Sequence, residues 1–518
     1  MLVPLSSHTA ASFRLSRNIG APLYLAATTV SEAAIEQTMT KEGAFCKWMA
    51  ADFWEEVSDR PLQVTGTIPK YVHGNYVKNG PGAFTTSKRK YTHAFDGLAK
   101  LIKFDIHHGD TIAFSAKFID SDWKRSMMDH DTIPPSITTG PASPAFDLPE
   151  RLYAAMTSAT LFDNTPVNVE QIGTSRYMAV TDAPVMNEFE LQTLTAKGRW
   201  TFPPIGGMAG YPIFSTAHGK KHLGNGNNYN YFLSVGLDGI QAHMVRTNAD
   251  GSTRTSLGKV STRGKIPYVH DISLTENYAI LCLYPLTLNP PTLLSGKGFL
   301  EELVFDPTES AKIHVFPLNG TGPIVSLETP AFFAYHHVNA YEKDDRTIIL
   351  DMLAYENANM INGPHGFLYM DNMMTARGRS QQVRDAHIWR WKLDLMTPNM
   401  CVMPEKTNEC TMELATVSPL VQGKSYRYAY GFTGFHQPGF MDWAIVKQDL
   451  EGNGNGFWYE EWSYPGEPVF VPDPSGKAED DGVLLCSVYN SKLEEIFLLV
   501  LNASTMKEVA RAYTGIGM

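Results

Sequence analysis

The sequence predicts an all-β protein, and three observations carry that prediction. Apolar residues recur in runs of strand length, the runs are bounded by turn residues, and helical stretches are few. Glycine (41) and proline (32) favour frequent turns over long helices. In chain order the strand-like runs are LIKFDI, TIAFSAKFI, RYMAVT, NYFLSVG, YAILCLYPL, RTIILDML, GVLLCSVYN and IFLLVLNA. The turn signals NGPG, GNGNN, LDG, NADGST and EGNGNG lie between them. Helix is expected in SEAAIEQTMTKEGAFCKWMAADF near the start and in LPERLYAAM at 148–156.

Length would permit several domains in 518 residues, but no low-complexity linker divides the chain. Residues 46–518 therefore read as one large β domain: a closed barrel, stacked sandwiches or a propeller. Residues 1–45 read as a leader. From Met1 to Val30 there is no acidic residue, and Ser, Ala, Arg14 and Arg17 recur. That is the composition of an organelle transit peptide, with a floppy leader or N-terminal helix as the alternative. A net charge of −11 argues against a nucleic-acid partner. No apolar run approaches the roughly 18–20 residues needed to span a bilayer. Five cysteines without CxxC spacing argue for a reducing compartment, cytoplasmic or organellar. The segment 130–146, HDTIPPSITTGPASPAF, reads as a surface loop without strong anchors. The apolar stretch 285–305 and DNMMTARG could line a tunnel or touch a membrane.

Of sixteen histidines, His8, His107, His108, His130, His222 and His314 lie in polar segments where solvent is the natural neighbour. Three other segments end an apolar or small-residue stretch on an imidazole: YPIFSTAHGKK (His218), GKIPYVHDIS (His270) and FFAYHHVNAYE (His336 and His337). They are 52 and 66 residues apart, so each must come from a different supersecondary unit. A propeller of this length would spend roughly 70 residues on a blade, which would bring one ligand per blade to the axis. Imidazole suits Fe, Zn or Cu. The competing reading of each is a hydrogen-bonded core histidine.

From about Leu62 to the C-terminus the chain resembles the carotenoid cleavage oxygenase family. The motifs that carry this are GTIPKYVHGNYVKNGPGAF, HAFDGLAKLIKFDI, FSTAHGK, YVHDISLTENYAI, FFAYHHVNAYE, YRYAYG, WSYPGEPVFVPDP, EDDGVLLCSVYN and LLVLNASTMKEVARA. The resemblance implies a seven-bladed β-propeller with a dome of loops and helix over the metal face. It implies Fe(II) on the axis, held by His218, His270, His336 and a fourth histidine. The first of the doubled histidines is chosen because the family's ligand lies three residues before an asparagine, here Asn339; His337 should then pack. Carboxylates behind the ligands are implied at Glu467 (GEPVF), Glu413 (CTMELATV) and Asp182 (AVTDAP), where a glutamate is expected and a shorter acid stands.

The family's fourth ligand lies in an FHG motif just beyond the segment matched by EVARAYTGIGM, and the sequence stops at Met518. His387 and His436 lie in segments the family does not use for iron. The expectation is a chain cut short of that ligand, weakly active or inactive. The implied activity is oxidative cleavage of a conjugated C=C bond of a carotenoid or apocarotenoid by O2. The implied partners are an apolar polyene and O2, with peripheral membrane contact, in a monomer. The alternatives are a stilbene-type or retinoid-processing member, or an impaired propeller scaffold.

Overall fold

A computed structural model describes residues 40–107, 111–200, 203–288, 297–362, 368–380, 386–434, 441–452 and 454–517. The chain is built almost wholly of antiparallel sheets in which strands that neighbour in sequence pair in space. The first sheet runs from the inner strand Gly74–Pro81 through Ala99–His107 and Thr111–Phe118 to Val57–Leu62. The second is Asn168–Ile172, Arg176–Val180, Met186–Phe189 and Ala196–Arg199. The third centres on Tyr211–Ser215, Asn228–Gly236, Gly239–Thr247 and Arg254–Ser261. The fourth is Ser273–Leu274, Tyr278–Leu283, Ala311–Pro317 and Val325–Thr329.

A seven-stranded sheet follows, from Phe333–Glu342 to Gly456–Tyr459, and it breaks register within the long strand Glu405–Thr416. The last sheet holds Ser463–Pro465, Gly482–Asn490, Glu495–Asn502 and Glu508–Gly517, and the early strand Val64–Gly66 pairs onto its outer edge. Counting Glu405–Thr416 in both halves of the long sheet gives a number of units consistent with seven blades.

The central strands are buried on both faces, which is why they read as continuous apolar runs rather than alternating ones. Gly482–Asn490 is buried at every position. His314 departs from the expected solvent setting: its strand, Ala311–Pro317, is interior, and the ring is 6% exposed with Nδ1 against Ser326 Oγ at 2.8 Å.

Helix appears where expected near the start, over Lys41–Met49, and crosses the anticipated 45/46 boundary. Residues 1–39 lie outside the described residues. Thr40 caps the helix through its side chain, and the helix buries Phe45 and Trp48. Trp48 stacks on Tyr464 (4.6 Å) and Tyr489 (5.1 Å) and meets Trp443 edge-on (5.7 Å). The second expected helix forms over Leu148–Leu161, and a short one over Asp122–His130 is capped by Ser121.

These helices and the small sheet Ile266–Pro267, Leu286–Leu288 and Leu303–Phe305 stand outside the blade units. They supply Ala155, Ile266 and Leu288 to the wall of a cavity. The segment 130–146 is anchored, contrary to expectation. Ile133, Ala142 and Phe146 are buried. The buried Asp96 carboxylate accepts the amides of Thr139 (2.7 Å) and Gly140 (3.0 Å). The anchor was invisible in sequence because it lies more than forty residues upstream.

Candidate metal centre

The inner edges of three consecutive sheets carry the three histidines. His218 follows the strand Tyr211–Ser215, His270 precedes Ser273–Leu274, and His336 lies within Phe333–Glu342. Their rings converge, with centroids 4.7 Å apart for His218 and His270, 4.9 Å for His218 and His336, and 5.2 Å for His270 and His336. One nitrogen of each lies within 4.8 Å of those of the other two. Among the described residues this is the one such cluster. His387 is on the strand Ala386–Asp394 and does not join it; His436 lies outside the described residues.

The doubled histidine is resolved by strand geometry. Neighbours on a strand face opposite ways, and pairing slips on either side of His337, between Ala334 and Asn339. Such irregularities re-aim side chains beside functional sites. His336 turns to the cluster, while His337 is buried with Nδ1 on Ser273 Oγ (2.6 Å) and Nε2 on Tyr284 OH (3.0 Å).

Two of the three expected carboxylates stand behind the imidazoles. His270 Nδ1 lies 2.7 Å from Asp182 Oδ2, and His336 Nδ1 lies 2.6 Å from Glu413 Oε2. Each carboxylate holds a proton on Nδ1 and leaves Nε2 as the free ligand atom. The shorter acid at 182 therefore reaches its histidine directly. It also accepts the Tyr268 hydroxyl at Oδ2 (3.1 Å) and the Ala217 amide at Oδ1 (3.1 Å). Glu413, 5% exposed, is fixed by the Tyr355 hydroxyl (2.5 Å) and by the amide of Leu414 (3.1 Å). Leu414 adopts a left-handed φ of 53°, the kind of strain that clusters at working sites.

Glu467 meets none of the three imidazoles; it pairs with Lys78 Nζ at 2.5 Å and serves as counter-charge to that lysine. Among the described residues no carboxylate meets the His218 ring; its Nδ1 faces the Asn168 amide at 3.5 Å.

Loss of solvent pushes His218 well below the ordinary imidazole value, with His270 and His336 adding to the shift. A neutral imidazole is the form that binds a metal. Three imidazoles with two tautomers fixed by carboxylates fit a divalent transition metal such as iron, zinc or copper.

The cluster opens on a cavity of about 390 Å³ lined by Phe95, Phe162, Phe214, Phe299, Met360 and Trp443 among others, together with His218, His270 and His336. Leu288, Phe299 and Leu300 belong to the apolar stretch 285–305, so that part of it does line the cavity; its residues 289–296 lie outside the described residues. Sequence reasoning missed Tyr268 and Tyr355, the hydroxyls that hold Asp182 and Glu413. Tyr268 could have been found, since it lies two residues before His270 and so on the same face of an extended segment.

Residues 50–516 match the family model described as retinal pigment epithelial membrane protein. The chain is 26% identical to the mitochondrial carotenoid-cleaving dioxygenase of Mustela putorius furo, over 92% of this chain and 96% of that one. It is 27% identical to the chloroplastic carotenoid cleavage dioxygenase 8 homolog A of Oryza sativa subsp. japonica, over 88% and 82% respectively. In fold it is similar to cobalt-substituted Synechocystis ACO, with a TM-score of 0.77, 23% identity and coverage of 92% and 97%. The match spans nearly the whole described body, and the chain belongs to the retinal pigment epithelial membrane protein family, that of the carotenoid cleavage oxygenases.

Proposed function

We propose that this protein is a non-haem Fe(II) dioxygenase that cleaves a conjugated C=C bond of a carotenoid or apocarotenoid with O2. The observation that carries this is the trio of converging imidazoles, two of them backed by carboxylates, opening on an apolar cavity. Names of relatives, carotenoid-cleaving dioxygenases of mitochondria and chloroplasts, support the substrate class and an organellar location. His218, His270 and His336 would hold the iron, which when bound supplies the activation of O2 that no side chain can provide.

The chain's own work is orientation and exclusion of water. Phe95, Phe162, Phe214, Phe299 and Trp443 give a polyene flat apolar walls. Asp182 and Glu413 keep protons on the Nδ1 atoms of His270 and His336. The reaction balances without another reductant: one double bond and one O2 become two carbonyl groups.

Among the described residues no helix is long and apolar enough to cross a membrane. The helix Leu148–Leu161 exposes Leu152, Tyr153 and Met156 while its Ala155 lines the cavity. That arrangement supports delivery of a lipid substrate by peripheral membrane contact.

The test is anaerobic loading with ferrous iron, then O2 and a panel of carotenoids, apocarotenoids and a hydroxystilbene. One O2 consumed per pair of carbonyl products from a polyene is expected. Iron-loaded protein that neither takes up O2 nor forms aldehyde with any member would refute the reading. Vesicle flotation checks the membrane contact: Met156→Asp should reduce binding.

A further inference from the structure

Each imidazole belongs to a different sheet, so no single ladder of backbone hydrogen bonds sets the distance between them. What joins the three segments is a set of polar groups that do not line the cavity. Thr216 Oγ1 donates to the His270 carbonyl (2.5 Å) and accepts the His218 amide (2.7 Å). One hydroxyl thus spans the first two ligand segments.

Asp271, 2% exposed, spans the rest. Its Oδ2 accepts the amide of His337, next to His336, at 2.8 Å. Its Oδ1 lies 2.7 Å from Nζ of Lys220, two residues after His218. The same pairing offsets the lysine's charge close to a centre that is to hold a cation.

We propose that Thr216 and Asp271 are positioning residues, a layer behind the imidazoles that holds all three at ligand spacing before a metal arrives. The inference rests on the reading of the triad as a divalent-metal centre. It follows that these residues govern metal affinity although they touch neither metal nor substrate. Pre-forming a site removes the ordering cost from the binding step. Removing a supporting group of this kind typically costs about 10–100-fold in affinity.

The test is titration of metal-free protein with Co(II), read by its visible absorption, together with amide exchange of the metal-free protein. Thr216→Val and Asp271→Asn are expected to weaken Co(II) binding about tenfold or more and to change band intensity. Thr216→Ser, which keeps the hydroxyl, should restore both. Lys220→Met, at a side chain 25% exposed, should fold and show a weakening in the same direction.

Wild-type affinity and spectrum in Thr216→Val and Lys220→Met would overturn the proposal. If the wild type takes up no cobalt, the metal reading falls, and exchange still decides the layer. The His218 amide should exchange faster in Thr216→Val and the His337 amide faster in Asp271→Asn. Unchanged exchange in both would overturn the layer by itself.

Discussion

Replacing Asp182 by asparagine keeps the shape of the side chain and removes one acceptor. In the native chain Oδ2 takes His270 Nδ1–H at 2.7 Å and the Tyr268 hydroxyl at 3.1 Å, while Oδ1 takes the Ala217 amide at 3.1 Å. An asparagine has a single oxygen and must choose. If the oxygen faces Ala217, the NH2 faces His270, whose Nδ1 must become an acceptor. The ring proton then moves to Nε2, the atom a metal needs. If the oxygen faces His270, the NH2 opposes the Ala217 amide, donor against donor. Leaving one buried donor unpaired costs about 1–3 kcal/mol. Loss of the histidine's partner is expected to weaken metal binding by about 10–100-fold, equivalent to roughly 1.4–2.7 kcal/mol. Co(II) titration of the metal-free protein measures this, with Asp182→Glu as the companion that restores charge and should bind more tightly than the asparagine variant. Wild-type affinity in Asp182→Asn would show that the carboxylate does not set the His270 tautomer.

Trp48→Ala removes a ring stacked on Tyr464 and Tyr489 and should cost about 3–5 kcal/mol, read as a lower guanidinium midpoint. Gly298→Ala would place a Cβ 2.5 Å from Gly140 Cα, pushing apart two loops that meet where Thr139 and Leu300 line the cavity. It should lower stability by about 1–3 kcal/mol and weaken apocarotenoid binding, followed by quenching of tryptophan fluorescence. His243 sits between Ser234 Oγ and Ser256 Oγ, and burial, with Lys259 adding, lowers it to about 4. Between the ordinary value of 6.5 and about 4 the unfolded chain binds a proton that the folded chain refuses, so stability falls as pH falls through that window. His243→Gln should flatten urea-derived stability across it, and an unchanged slope would count against the shift.

Much of the fold was legible because buried strands are continuous apolar runs and the turns between them are rich in glycine and asparagine. The quoted runs at 101–106, 278–286, 482–490 and 496–503 all fall largely within strands. The short helix Asp122–His130 was not legible, since nine residues give too few repeats of a helical period and its stability comes from the Ser121 cap and burial of Trp123 and Met127. His314 was misplaced for a related reason. A lysine two positions earlier made its segment look polar, whereas burial is decided by the strands on either side.

The site divides along a similar line. A histidine ending an apolar stretch is a local pattern, and so is a carboxylate within a recognisable motif. What joins those pieces is not local. The Asp182–His270 contact closes over 88 residues, Glu413–His336 over 77, and Asp271–His337 over 66. Glu467 meets Lys78 across 389 residues, a contact that its own motif does not reveal. A hydrogen bond between distant segments leaves no periodicity, and its two ends need only be polar. Such contacts therefore become readable only once the sheets have fixed which inner strands are neighbours. Topology brings the three imidazoles near one another on consecutive sheets; the carboxylates and hydroxyls behind them set their spacing and decide whether those rings present the right nitrogen.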